Sequence, residues 1–137
     1  MEHDNVNHPK HYMEGFAPVN IECIDITRHM DFCLGNAFKY VWRAGKKGGK
    51  KKALEDLDKA LWYLDLCSKS VKWGPREATA EGAKAVFRLI KYPEDNGRED
   101  CRYRALWSMI DDVSIDTTTT LMEIEELKSY FKEERIV

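Results

Sequence analysis

The chain has 137 residues and a formal net charge of −2. That length allows one domain, or one domain with an appendage, and so slight a charge excludes general affinity for nucleic acid or a membrane surface. An apolar content of 43%, with four Trp, six Tyr and five Phe, is enough for a core.

No secretory segment opens the chain, and no apolar run is long enough to span a bilayer. Cys23, Cys33, Cys67 and Cys101 are scattered without a C-x-x-C pair, so reduced thiols and a cytoplasmic protein are expected. Their spacing gives no support to a metal site.

Taken in order, residues 1–7 are polar. His8-Pro9-Lys10-His11-Tyr12 follows, and Pro9 disfavours helix at His8, which places both histidines on an extended or turn segment. Two readings of it are open: a strip lending rings and cations to a ligand, or a surface turn with Tyr12 in the core. Asn20 suits an N-cap for a helix from about Ile21 to His29. Asp31 suits the cap of the next.

That next helix runs up to Gly45, a natural C′ terminator. At 100° per residue Leu34, Ala37, Phe38 and Val41 fall on one side. Asn36, Lys39, Tyr40 and Arg43 form a stripe on the other. An amide, an ammonium, a phenol and a guanidinium in line suit a planar, charged ligand: cations for phosphate, the phenol for stacking, the amide for base or ribose. The competing reading is a solvated face whose cations sit well near the helix C-terminus. From Lys39 to Lys52 there are seven Lys or Arg and no acid, a local basic patch suited to a compact anion. The loop Gly45-Lys46-Lys47-Gly48-Gly49-Lys50 lacks the Ser or Thr and the preceding strand of a Walker loop, so a P-loop is rejected.

From Lys50 to about Lys72 the pattern is helical, with Leu54, Leu57, Leu61 and Leu64 as a packing seam. Gly74-Pro75 ends it. Further helices are expected over Ala78–Tyr92, Glu99–Val113 and Leu121–Glu134, with a turn at Pro93–Gly97. No strand of period two emerges. The expected fold is mainly α: a three-helix module over residues 1–72, extended by C-terminal helices over 73–137. Trp107, Tyr130 and Phe131 have no obvious partner in the first half, which favours a homo-oligomer.

Several blocks resemble one family. His8-Pro9-Lys10-His11-Tyr12, Ile21-Glu22-Cys23-Ile24-Asp25, Phe32-Cys33-Leu34-Gly35-Asn36, Lys39-Tyr40, Arg43-Ala44-Gly45-Lys46-Lys47 and Asp56-Leu57-x-Lys59-Ala60-x-x-Tyr63 resemble a small domain widespread in tailed phages and prophages. That family is typified by an early coliphage nucleotide kinase that lacks a Walker motif. The likeness covers about Val6 to Leu66. It implies nucleotide handling in the cytoplasm of an infected host, with His8, Lys10, His11, Tyr12, Asn36, Lys39, Tyr40, Arg43, Lys46 and Lys47 as ligand contacts. It leaves the second half without an analogy.

Three functions compete. A deoxynucleoside monophosphate kinase would use ATP and Mg²⁺, with phosphate charge met by Lys39, Arg43, Lys46 and Lys47 and with Asp25, Glu55 or Asp58 as candidate catalytic acids. A non-catalytic sponge would sequester a nucleotide, or a cyclic-nucleotide signal of host antiviral defence, without acid or metal. A Mg²⁺-dependent pyrophosphohydrolase would need Glu22/Asp25 and Glu55/Asp58 on facing helices, but the full doubled-glutamate pattern is absent. Nucleic-acid binding ranks last, because the basic patch is short.

Overall fold

The computed structural model describes residues 21–68, 77–111 and 118–133, and the expectations placed on 1–20, 69–76, 112–117 and 134–137 lie outside it. Six α-helices are found among the described residues, with no strand: α1 (Cys23–Thr27), α2 (Phe32–Arg43), α3 (Lys50–Ser68), α4 (Glu77–Phe87), α5 (Arg98–Asp111) and α6 (Thr118–Glu133). The mainly helical expectation is met.

The termini follow from particular side chains. Asp31 caps α2, its Oδ1 accepting the N–H of Leu34 at 2.8 Å. Helix α1 begins later than expected, because Asp25 accepts the N–H of Glu22 at 2.9 Å and makes Glu22 the N-cap. Gly45 follows α2 with φ +83°, in the left-handed region that ends helices. Asp95 accepts the N–H groups of Glu99 and Asp100 at 3.1 and 2.9 Å, which starts α5. Helix α4 stops at Phe87 rather than Tyr92. There Leu89 and Ile90 donate back to Val86 and Phe87, three residues away, and the last turn tightens out of α geometry.

Helices α2 and α3 are joined by a short link and pack as an antiparallel pair, as do α5 and α6. Helix α5 lies against α2 and α6 against α3, which closes a ring of four helices; α1 and α4 pack on each other and link α2 to α5. One continuous core results, with Phe38, Val41 and Trp42 of α2, Leu57 and Leu64 of α3, Phe87 of α4, Leu106 and Met109 of α5, and Ile124 and Leu127 of α6 all in it.

Two expectations need correction. The α3 seam is rotated. Ala53, Asp56, Leu57, Ala60, Leu64 and Cys67 are buried, whereas Leu54 and Leu61 are only partly so. The cause is that α3 serves two neighbours. Asp56, Lys59 and Tyr63 meet α2, while Lys50 and Asp58 reach α6. The second correction concerns Phe131 alone, because Trp107 and Tyr130 have their neighbours within the second half while Phe131 reaches back to the first. Trp107 packs on Phe87 at 5.5 Å between ring centroids. Tyr130 lies beside Gly97, and the Phe131 ring is seated against Gly45.

A buried tie between the halves is Arg102 of α5, which is 1% exposed. Its Nη1 donates to the carbonyls of Val41 and Trp42, groups that the end of α2 leaves without a helical partner. Glu99 accepts from its Nε at 2.7 Å, so the buried charge is both paired and hydrogen-bonded.

Candidate functional site

The stripe of α2 faces the edge of α3, and the side chains meet around one ring. The Nζ atoms of Lys39 and Lys59 lie 4.7 and 5.4 Å from the centroid of Tyr40, and the Arg43 Cζ lies 4.9 Å from it. Three cations gathered on one phenol repel one another and attract an anion. The ring's quadrupole offsets only part of that repulsion. Tyr40 in turn stacks with Tyr63 of α3 at 6.0 Å and 16°. Tyr63 takes Phe32 edge-on at 6.2 Å and Trp62 at 5.0 Å. Phe32 and Trp62 are 75% and 61% exposed, so the aromatic end of this ledge is open to solvent.

Beside the ledge is a shallow cleft of about 190 Å³ lined by Asp31, Phe32, Gly35, Asn36 and Lys39 among others. The Asn36 amide donates to the carbonyl of Phe32 at 2.8 Å. At the opposite end Arg43 donates from Nη2 to Oδ1 of Asp56 at 2.7 Å, and Lys52 Nζ lies 3.5 Å from the same oxygen. Asp56 is fully buried and its Oδ2 has no hydrogen-bond partner.

Of the ten residues proposed as ligand contacts, the structure brings together Lys39, Tyr40 and Arg43, with Asn36 one turn away. Lys46 is turned elsewhere. Its Nζ lies 4.9 Å from the Trp42 ring, and burial, reinforced by Arg102, pulls its ammonium down to about 7. Lys47 is exposed in the link. His8, Lys10, His11 and Tyr12 lie outside the described residues. Among the acids, Asp25 caps α1, Asp58 pairs with Lys128 at 2.7 Å, and Glu55 is exposed.

Sequence reasoning missed Lys59, Tyr63 and Asp56 as members of the site. Asp56 left a signal, for it interrupts the apolar spacing Ala53, Leu57, Ala60, Leu64 with an acid. A carboxylate in a packing stripe requires a cation across the interface. Lys59 and Tyr63 are spaced three and seven from it, on the same edge.

The cysteines are free, and of them Cys33 and Cys67 lie close enough to interact. Burial pushes the thiols of Cys23 and Cys67 up to about 12 and that of Cys101 to about 11, so they are poor nucleophiles. Among the described residues the one group of three metal-type donors is Cys101, Glu123 and Glu126, where Glu123 already accepts from Arg104. No described helix is long and apolar enough to cross a membrane.

A helical domain with a cationic, aromatic ledge is thus the class this half defines. Residues 6–65 match a family described as a protein of unknown function, DUF3310. The chain is also similar to the Gene 1.7 protein of Enterobacteria phage T3, 42% identical over 72 residues. That similarity covers 47% of this chain and 42% of the phage protein, so less than half of that relative is represented. No solved structure matches. The family match ends at residue 65, within α3.

Proposed function

We propose that this chain binds a nucleotide on the α2–α3 ledge, with the base against Tyr63 and Phe32 and the phosphates among Lys39, Lys59 and Arg43. The observation that carries this reading is the convergence of three cations on the half-buried Tyr40 ring. Such an arrangement gains from a compact polyanion, and exposed rings alongside supply a stacking surface for a base. The phage family resemblance supports a deoxynucleoside monophosphate kinase-like activity, using ATP and Mg²⁺.

One feature favours the second reading, sequestration without turnover. Of the candidate acids, Asp25 holds a helix cap and Asp58 an ion pair, while the acid nearest the cations, Asp56, is engaged by Arg43. Among the described residues no three carboxylates converge beside the ledge. A sponge for a nucleotide or a cyclic-nucleotide signal needs none.

Titration calorimetry with dGMP, dTMP, ATP and a cyclic dinucleotide tests binding. Chromatography of the products after incubation with ATP, Mg²⁺ and each monophosphate tests transfer. Binding with no phosphorylated product supports sequestration, and absence of binding to the whole panel removes both readings.

A further inference from the structure

We propose that a second ligand site lies in the other half of the chain, between α5 and the start of α6, and that it takes a planar, nitrogen-rich ring, neutral or cationic. The cavity there is about 490 Å³, within the range of small-molecule sites. It lies outside residues 6–65, the segment the family match covers, and does not depend on the nucleotide reading of the ledge.

Its walls are aromatic. Tyr92 and Tyr103 meet at 4.5 Å between centroids, and Phe87 backs both Tyr103 and Trp107 at 5.0 and 5.5 Å. Tyr103 and Trp107 are half-buried while Tyr92 is 49% exposed, so the rings form a wall with a free face and an outer flap rather than a sealed core. An aromatic guest gains ring contacts beyond its area of burial.

Charge decides what kind of ring fits. Arg104 donates from Nε to Glu123 at 3.0 Å, pairs closely with Asp100 and reaches the Tyr92 hydroxyl at 3.4 Å. Two carboxylates therefore neutralise the one guanidinium in the wall. Asp111 at the rim adds another carboxylate, 55% exposed and only loosely paired, with Lys84 Nζ at 3.7 Å. Three carboxylates against two cations disfavour a phosphate or any other anion. They favour ring N–H and exocyclic amino donors, and a delocalised cation can lie on the indole face. Ser108 is already bonded to the Ala105 carbonyl and Thr120 hydroxyl, so it shapes the floor. The chemistry is that of an amino-substituted nucleobase or an aromatic amidine, the reverse of the polyanion that suits the α2–α3 ledge.

The test follows the indole N–H resonance of Trp107, assigned with Trp107→Phe, in the full chain titrated with adenine, benzamidine and inorganic phosphate. Saturable shifts are expected for adenine and benzamidine and none for phosphate. Thr119→Phe, at an exposed position on the lining, should fill the cavity and abolish the shifts. Asp111→Asn should weaken benzamidine roughly tenfold and adenine less, as loss of a charge-assisted contact requires. The proposal is overturned if neither ring compound moves the Trp107 signal at millimolar concentration. It is equally overturned if Thr119→Phe leaves the shifts intact, or if phosphate shifts the signal as the rings do.

Discussion

Arg43 and Asp56 join α2 to α3 through a 2.7 Å bond between Nη2 and Oδ1, with the carboxylate wholly inside and the guanidinium side chain 12% exposed. The pair lies at the inner end of the cationic ledge, so one contact both fastens the helix pair and fixes the Arg43 plane near Tyr40.

Removing one partner disturbs a buried charge cluster that Lys52 also joins. Asp56→Ala should therefore lower stability by about 3–5 kcal/mol, the range for a broken buried pair. Replacing both, as Arg43→Met with Asp56→Ala, should cost clearly less than the sum of the singles. Urea unfolding of the four proteins measures the coupling. A coupling near zero would mean that the two side chains act independently.

Helix content, the caps at Asp31 and Gly45, and the buried face of α2 were legible in the sequence because each depends on local chemistry: spacing, a carboxylate, a residue without Cβ. The rotation of α3 was not. It depends on α6, far along the chain, packing on α3 as well as α2 does. Asp56 was overlooked for the same reason, since a buried acid declares itself only once Arg43 is opposite. Lys46 looked like its neighbours in a basic run, yet the tertiary fold puts it beside Trp42 and Arg102. The ledge residues on α2 could be read, while their complement on α3 required the helix pair.

The rotated seam gives its own prediction. Ala60 is fully buried, so Ala60→Leu should overpack the core around α3 and cost about 1–3 kcal/mol. Leu57→Asp buries a charge without a partner and should prevent folding. Leu61→Asp, at a half-buried position, should leave a folded though weakened protein. Circular dichroism with thermal melts separates these outcomes, and equal damage from Leu57→Asp and Leu61→Asp would contradict the rotation.

Gly45 is constrained twice. Its φ is +83°, and a Cβ built there would sit 2.6 Å from the Phe131 ring. Gly45→Ala should cost roughly 2–4 kcal/mol, combining left-handed strain with overpacking. In a Phe131→Leu background the same change should cost less, because only the strain remains. An unchanged cost in that background would show that the ring has room to move.

Lys46 makes stability depend on pH. Its folded value is about 7 against 10.5 for the free group. Between those values the unfolded chain holds the proton that the folded chain has lost, so Lys46 makes stability rise as pH rises through this window. Below the folded value both states are charged, and the full penalty of the buried ammonium is present. Lys46→Met should thus stabilise most at about pH 6 and progressively less by about pH 9.5. Urea midpoints of parent and variant at both pH values give the difference, and a gain that grew with pH would refute the assignment.

The ledge itself is best probed at Lys59, because it is exposed and unconnected to the core pair. Its ammonium lies 5.4 Å from the Tyr40 centroid, near where the phosphates are proposed to sit. Lys59→Ala should weaken nucleotide binding by about 1 kcal/mol at low salt and less at high salt, since an exposed cation is screened. Lys47→Ala, in the link, should change little. Lys50→Ala should also leave affinity intact, but with a small loss of stability, because Lys50 Nζ donates to the Lys132 carbonyl at 2.9 Å near the end of α6. Arg43→Lys should keep the charge but lose the planar fork that can meet Asp56 and a phosphate together, and so should weaken binding more than its retained charge suggests. Calorimetric titration of the four variants with dGMP and dTMP, at two salt concentrations, provides the comparison. If Lys47→Ala reduces affinity while Lys59→Ala does not, the anion is held by the link between the helices, and the Tyr40 cluster is a solvated surface.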